Sequence, residues 1–201
     1  MAKPRTPPPG QIKIKKAFLE LMKTKDFHSI TTAVIAKQAG VTEGLIYKYF
    51  RDKKDLLYQV LEDYFHEFQE NIEKKIQSTG SSIEKLKIII ATSLASYTGN
   101  RVFARILLLE VRSAPEYFNC SAYKMVQRYS RTILNIIRQG IQNNEINREV
   151  DPKALRKVIL GAIEHACLGE ILFDREIDTE TVSDNVCHII FKGAQSYNAQ
   201  S

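Results

Sequence analysis

No run of apolar residues in this 201-residue chain approaches the roughly 20 needed to span a bilayer. The opening stretch, MAKPRTPPPGQ, has no apolar core of the kind a secretory signal carries. Both absences lead to the expectation of a cytoplasmic protein. Cysteine is scarce, and Cys120, Cys167 and Cys187 stand far apart with no CxxC spacing. That excludes a disulfide framework and a structural zinc site, and leaves three small apolar fillers of helix faces. Histidine is limited to His28, His66, His165 and His188. No HExxH, GxSxG or Gly-rich phosphate loop is present, and the carboxylates are scattered over polar faces. The chain therefore offers no catalytic constellation, and neither an enzyme nor a bound cofactor or metal is expected.

What is present is unevenly placed. Residues 1–62 carry 12 Lys/Arg against 6 Asp/Glu, whereas residues 63–201 carry 17 of each. The whole net charge of +6 thus lies in the first third, as expected for a module that binds phosphates. Four of the six prolines fall within residues 1–10, beside Lys3 and Arg5. Prolines cannot join a helix interior, so 1–10 reads as a disordered basic arm.

Helical periodicity follows. Ile14, Ala17, Phe18, Leu21 and Met22 form one stripe of a helix over about 12–25. A loop over 26–29 precedes Thr31, an N-cap for a helix to Ala39, and Gly40 supplies the positive φ of a helix C-terminus. Thr42 is expected to cap the next helix, about 43–50, which buries Ile46 and Phe50. Its other face presents Glu43, Gly44, Leu45, Tyr47, Lys48 and Tyr49. Asp52 caps a helix to about Gln77 with Lys53 and Lys54 in its first turn. Two lysines are unfavourable at a positive dipole end unless an anion is bound there. Helix, Gly-centred turn, short helix and basic helix entry make the layout of a DNA-binding helix-turn-helix.

Ser78–Ser82 is a linker, after which further helices are expected over about 83–97, 102–112, 116–143, 152–173 and 180–196. Asp151-Pro152 opens the fourth of these as N-cap and first helical residue. The fold class is all-α with about nine helices. It divides into the arm 1–10, a helix-turn-helix domain 11–57 and a helical effector-binding and dimerisation domain 58–201.

The residues Ile35-Ala36-x-x-Ala39-Gly40-Val41-Thr42-x-Gly44-x-Ile46-Tyr47-x-Tyr49-Phe50-x-x-Lys53-x-x-Leu56 closely resemble the N-terminal signature of TetR-family regulators. The match covers about residues 12–65. The resemblance implies a homodimeric regulator, a repressor released from a palindromic operator when its helical C-terminal domain takes a small-molecule effector. It implies phosphate contacts from Thr32, Thr42, Tyr47, Tyr49 and Lys53, and base contacts from Glu43, Gly44, Leu45 and Lys48. By chemistry, Lys48 suits guanine O6/N7 and Glu43 suits cytosine N4. Leu45 departs from the family's small hydroxyl residue and suits a thymine methyl. A non-specific DNA-coating protein is the competing reading, although such a protein has no need of a large near-neutral C-terminal half.

In that half, the last two long helices are assigned the dimer contact. Ala154, Val158, Gly161, Ala162, His165, Ala166 and Gly169 lie on one, and Val182, Val186, Ile189, Ile190 and Gly193 on the other. Tyr97, Phe103, Leu107, Leu108, Tyr123, Met125, Tyr129, Ile133 and Ile137 stand either as plain core or as the lining of an effector pocket. Arg101, Arg105 and Arg112 are candidates to pair an acidic head group, or to bridge to Glu110 or Glu116. Glu164 and His165 are candidates for a polar contact. LLLEVRSAP (107–115) and GAIEHACLGEILFD (161–174) resemble the fatty-acid-degradation branch of the family, which implies long-chain acyl-CoA as the effector.

Overall fold

The computed structural model describes residues 7–194, so Lys3, Arg5 and most of the proline-rich arm lie outside the described residues. The described chain is helical, with nine α-helices and no extended strand among those residues. Two compact units divide it at Asp63/Tyr64, beyond the expected boundary at residue 57.

In the first unit, α1 (Pro9–Met22) starts three residues earlier than its periodicity suggests, because Pro9 occupies a position where no amide is required. Helix α2 (Thr32–Ala39) is capped by the Thr31 hydroxyl, which accepts from the Val34 amide at 3.3 Å. It ends at Gly40 with φ of 64°, a left-handed conformation that side chains other than glycine's rarely adopt. Helix α3 (Glu43–Tyr49) follows after a two-residue turn. Thr42 precedes it in extended conformation but its hydroxyl accepts no capping bond, contrary to expectation.

Helix α4 (Lys53–Ile76) begins with a reciprocal cap. Asp52 Oδ1 accepts from the Asp55 amide at 2.8 Å, and the Asp55 carboxylate accepts from the Arg51 amide at 3.0 Å. Ile14, Phe18, Ile30, Ile35, Ile46, Phe50 and Leu56 fill a small core from which water is excluded. The first part of α4 belongs to this unit because it is tied to α1. Lys15 bridges to Asp63 at 2.6 Å, and Gln11 donates to Gln59 at 3.1 Å.

The second unit comprises the rest of α4 with α5 (Ser82–Gly99), α6 (Arg101–Arg105), α7 (Ser121–Gln142), α8 (Pro152–Leu172) and α9 (Thr179–Ala194). Asp151 caps α8 by accepting from the amides of Lys153 and Ala154. Glu145 performs a similar task at a distance in sequence. Its carboxylate accepts from the Ser81 hydroxyl and from the amides of Ser82 and Ile83, closing the N-terminus of α5. Burial raises the Glu145 pKa, but those bonds outweigh it and hold the group below its ordinary value.

Two expected helices are broken. The segment expected as one helix over 102–112 is α6, then a π-helical turn over Ile106–Glu110, then a 3-10 turn over Val111–Ser113. The helix expected from residue 116 begins only at Ser121, since Pro115–Asn119 forms a separate 3-10 turn. Leu86, Ile89, Ile90, Leu94, Ile133, Ile137, Ile159 and Cys167 are completely buried among these helices. Leu108, Ile133 and Ile137 are therefore core residues.

Candidate functional site

The first unit carries the residues expected to contact DNA. Glu43, Gly44, Tyr47 and Lys48 are exposed on α3, and Thr42 is exposed just before it. Tyr47 is 56% exposed, which is unusual for a tyrosine without a partner surface. Thr32 joins two of these groups. Its hydroxyl donates to the Glu43 carboxylate at 3.0 Å and lies 3.3 Å from the Tyr47 hydroxyl. Phosphate-contacting and base-contacting candidates are thus already linked, and Glu43 stands at the first turn of α2. Lys48 lies with its Nζ 5.9 Å from the centre of the Tyr49 ring.

Two assignments change with the geometry. Leu45 and Tyr49 are half-buried and lean on the first turn of α1, so tightly that a Cβ on Gly10 would stand 3.1 Å from Leu45 Cδ2. Leu45 is therefore partly spent on packing and has less apolar surface to offer a thymine methyl. Lys53 has partners within its own unit. Its Nζ donates to the Phe27 carbonyl at 2.6 Å and the Ile30 carbonyl at 2.7 Å, and sits 4.3 Å from the centre of the Phe27 ring. An ammonium has three donors, and two of them are spent pinning the 27–30 turn. Its role in the described fold is structural. Spacing alone does not reveal this, because a lysine at a helix N-terminus has the same pattern whether it holds phosphate or a neighbouring loop.

The second unit encloses a cavity of about 300 Å³. Phe65 and Phe68 reach it from α4, and Ser93, Ser96 and Tyr97 from α5. Phe103 and Leu107 enter from α6 and the π-helical turn, Tyr123, Val126, Tyr129 and Ser130 from α7, and Leu160, Ile163 and Glu164 from α8. Arg112, Tyr117 and Phe118 complete the wall. Aromatic edges dominate: Tyr117, Phe118 and Tyr123 stand mutually edge-on at 5.0–5.7 Å, and Phe68 meets Tyr129 at 5.5 Å.

The polar groups of the wall are few. Ser93 donates to the Ile89 carbonyl and lies 2.7 Å from the Tyr129 hydroxyl, so Tyr129 donates to Ser93. Burial pushes the Tyr129 and Tyr97 phenols above their ordinary pKa and keeps both neutral. The charged groups are Arg112 and Glu164, paired at 2.6 Å, with side chains 48% and 36% exposed. Burial alone would lower the Arg112 pKa, but the bond to Glu164 and its charge raise it overall.

Four of the eight effector candidates meet here: Tyr97, Phe103, Tyr123 and Tyr129. The other four lie elsewhere. Leu108 is in the core, because the π-helical turn directs Leu107 to the cavity instead. Arg101 is held by Asp174 at 2.6 Å and by the carbonyls of Glu170 and Arg175, at the end of α8. Arg105 and His165 are exposed and outside the lining. Arg112 pairs with Glu164. Phe65, Phe68 and the Tyr117–Phe118 turn were not among the candidates. Phe65 and Phe68 sit on α4, which supplied no candidate, and Tyr117 and Phe118 fall within the stretch expected as one helix over 116–143; only the tertiary fold brings them in.

The comparisons agree with both halves. The family model described as "Bacterial regulatory proteins, tetR family" matches residues 14–60, and "YsiA-like protein, C-terminal region" matches residues 61–193. The "Fatty acid metabolism regulator protein" of Bacillus subtilis (strain 168) is 27% identical over 185 residues, 92% of this chain and 95% of that protein. The crystal structure of FadR from Bacillus subtilis in complex with stearoyl-CoA superposes with a TM-score of 0.83 at 28% identity. That match covers 90% of this chain and 98% of that one. The fatty acid degradation regulator FadR of Bacillus halodurans shares the fold at 21% identity, with a TM-score of 0.84 over 94% of this chain and 98% of that one.

Proposed function

This chain belongs to the tetR family of bacterial regulatory proteins and is a DNA-binding transcriptional regulator, and from that premise we propose that long-chain acyl-CoA is its effector. The observation that carries the reading is the aromatic-walled cavity with one polar end formed by Arg112 and Glu164. It suits a long apolar acyl chain whose thioester carbonyl meets the polar end. A relative sharing 28% of its residues binds stearoyl-CoA, which supports the same chemistry.

In this reading the protein is a cytoplasmic homodimeric repressor without enzymatic activity. Thr32, Thr42, Tyr47 and Tyr49 hold the DNA backbone, and Glu43, Gly44 and Lys48 meet base edges of a palindrome. The two-fold operator is matched by a two-fold dimer. Val158, Leu172, Phe173 and Ile189, on or beside α8 and α9, are 49–74% exposed, which supports assigning the dimer contact there. Ile190 is buried within its own chain and takes no part. Gly193 falls outside the described side chains.

DNA selected from a random pool should yield a discrete palindrome, and stearoyl-CoA should release the protein from it in gel shifts. Sequence-indifferent coverage would favour a DNA-coating protein. Indifference to stearoyl-CoA would remove acyl-CoA as the effector.

A further inference from the structure

The cavity has a second property, which concerns the charge of what it holds. We propose that Glu164 sets the head-group charge the cavity accepts: it admits an apolar chain with a neutral head, such as a thioester, and rejects the same chain ending in a carboxylate. The inference rests on reading this cavity as the effector site.

Arg112 is the one cation among the residues lining the cavity, and Glu164 already neutralises it at 2.6 Å. The other arginine expected to meet an acid, Arg101, is engaged with Asp174. An entering carboxylate therefore has two courses. It can displace Glu164 and leave that carboxylate unpaired at the cavity edge, or it can lie beside Glu164 as a second anion. Both are unfavourable beside an aromatic wall, where one guanidinium would have to serve two carboxylates.

A neutral carbonyl meets no such conflict. A guanidinium has five N–H donors in a fixed fork. Glu164 takes one edge through Nη2, and Nε leans toward the Leu107 carbonyl at 3.4 Å. The remaining N–H groups can serve a carbonyl oxygen while the pair stays intact. Tyr129 offers no substitute anchor for an anion. Tyr129 has committed its proton to Ser93, which has committed its own to Ile89. Selectivity here is built from a repulsive group as much as from an attractive one.

The test compares dodecanoate with dodecanol, two probes of equal chain length, by titration calorimetry near pH 7 on the full-length protein. Stearoyl-CoA is titrated in parallel. The wild-type protein should bind dodecanol at least about tenfold more tightly than dodecanoate. Glu164→Gln should reverse that ratio by freeing the guanidinium. Glu164→Asp should keep the wild-type order, and Arg112→Gln should weaken dodecanoate further. Thermal melts establish that each variant is folded, and Glu164→Asp and Arg112→Gln carry the test if Glu164→Gln is not.

Equal wild-type affinity for the two probes would overturn the inference. So would a folded Glu164→Gln protein with the wild-type ratio, or the binding of no probe at all. Retained discrimination without stearoyl-CoA binding would uphold the charge selectivity and remove the acyl-CoA reading.

Discussion

Replacing Lys53 by Met separates two roles that the sequence cannot distinguish. Methionine keeps most of the aliphatic stem and removes the ammonium. In the structure that ammonium donates to the carbonyls of Phe27 and Ile30 and faces the Phe27 ring. Charge-assisted hydrogen bonds contribute roughly 1.5–3 kcal/mol each, and the ring contact adds roughly 0.5–1 kcal/mol. Part of this returns as water reaches the released carbonyls, so a net loss of about 2–4 kcal/mol is expected. For a unit as small as the first 63 residues, each kcal/mol lowers the melting temperature by roughly 4–8 °C. The melting of the DNA-binding unit should therefore fall by at least about 8 °C. Circular dichroism or calorimetry reads that change, and operator titrations at several salt concentrations read the other. A lost phosphate contact lowers the slope of log K against log salt by about 0.9 per protomer. A structural lysine leaves the slope unchanged below the melting transition. A slope reduced by about 0.9 per protomer with an unshifted melt would refute the structural role and restore Lys53 to the phosphate contacts.

Three further expectations concern the second unit. Each buried methylene contributes about 0.8 kcal/mol, so acyl-CoA affinity should rise roughly 14-fold per two carbons until the cavity is filled, then level off. A flat series in calorimetry would place the chain outside the cavity. Glu145→Ala removes the carboxylate that closes α5 and should cost about 1–3 kcal/mol at neutral pH. Because the folded Glu145 pKa is lowered, this stabilisation is complete above the unfolded carboxylate value of about 4.3. It is lost as the pH falls through the folded value, so the melting gap between wild type and variant should close in acid. A gap that widens in acid would contradict the direction of the shift. Ile189, 74% exposed on α9, should yield a monomer when changed to Asp, and light scattering that still shows a dimer would move the interface elsewhere.

Much of the fold was legible because its signals are local. Thr31, Gly40, Asp52 and Asp151-Pro152 mark helix ends through their own backbone chemistry, and each boundary falls where those residues stand. The α6–α7 region was not legible. Residues 102–112 and 116–119 have ordinary helical composition, and the change of winding there reflects how Leu107 and Leu108 are divided between cavity and core. The exposure of Glu43, Tyr47 and Lys48 on α3 was legible by spacing, but the commitments of Leu45 and Lys53 were not, since both depend on neighbours distant in sequence. The cavity was half legible. Its tyrosines were conspicuous, whereas the partner of Arg112 lies 52 positions away on α8.

The π-helical turn at Ile106–Glu110 sets the helical phase at which Arg112 meets the cavity. Such a turn closes its hydrogen bonds over one residue more than an α-helix does, which is the footprint a one-residue insertion leaves in a helix. Removal of a single residue there, such as the exposed Leu109, would rotate everything downstream by about 100° of helical phase. Arg112 would then leave the cavity wall. The polar end of the pocket thus depends on the winding of this one turn.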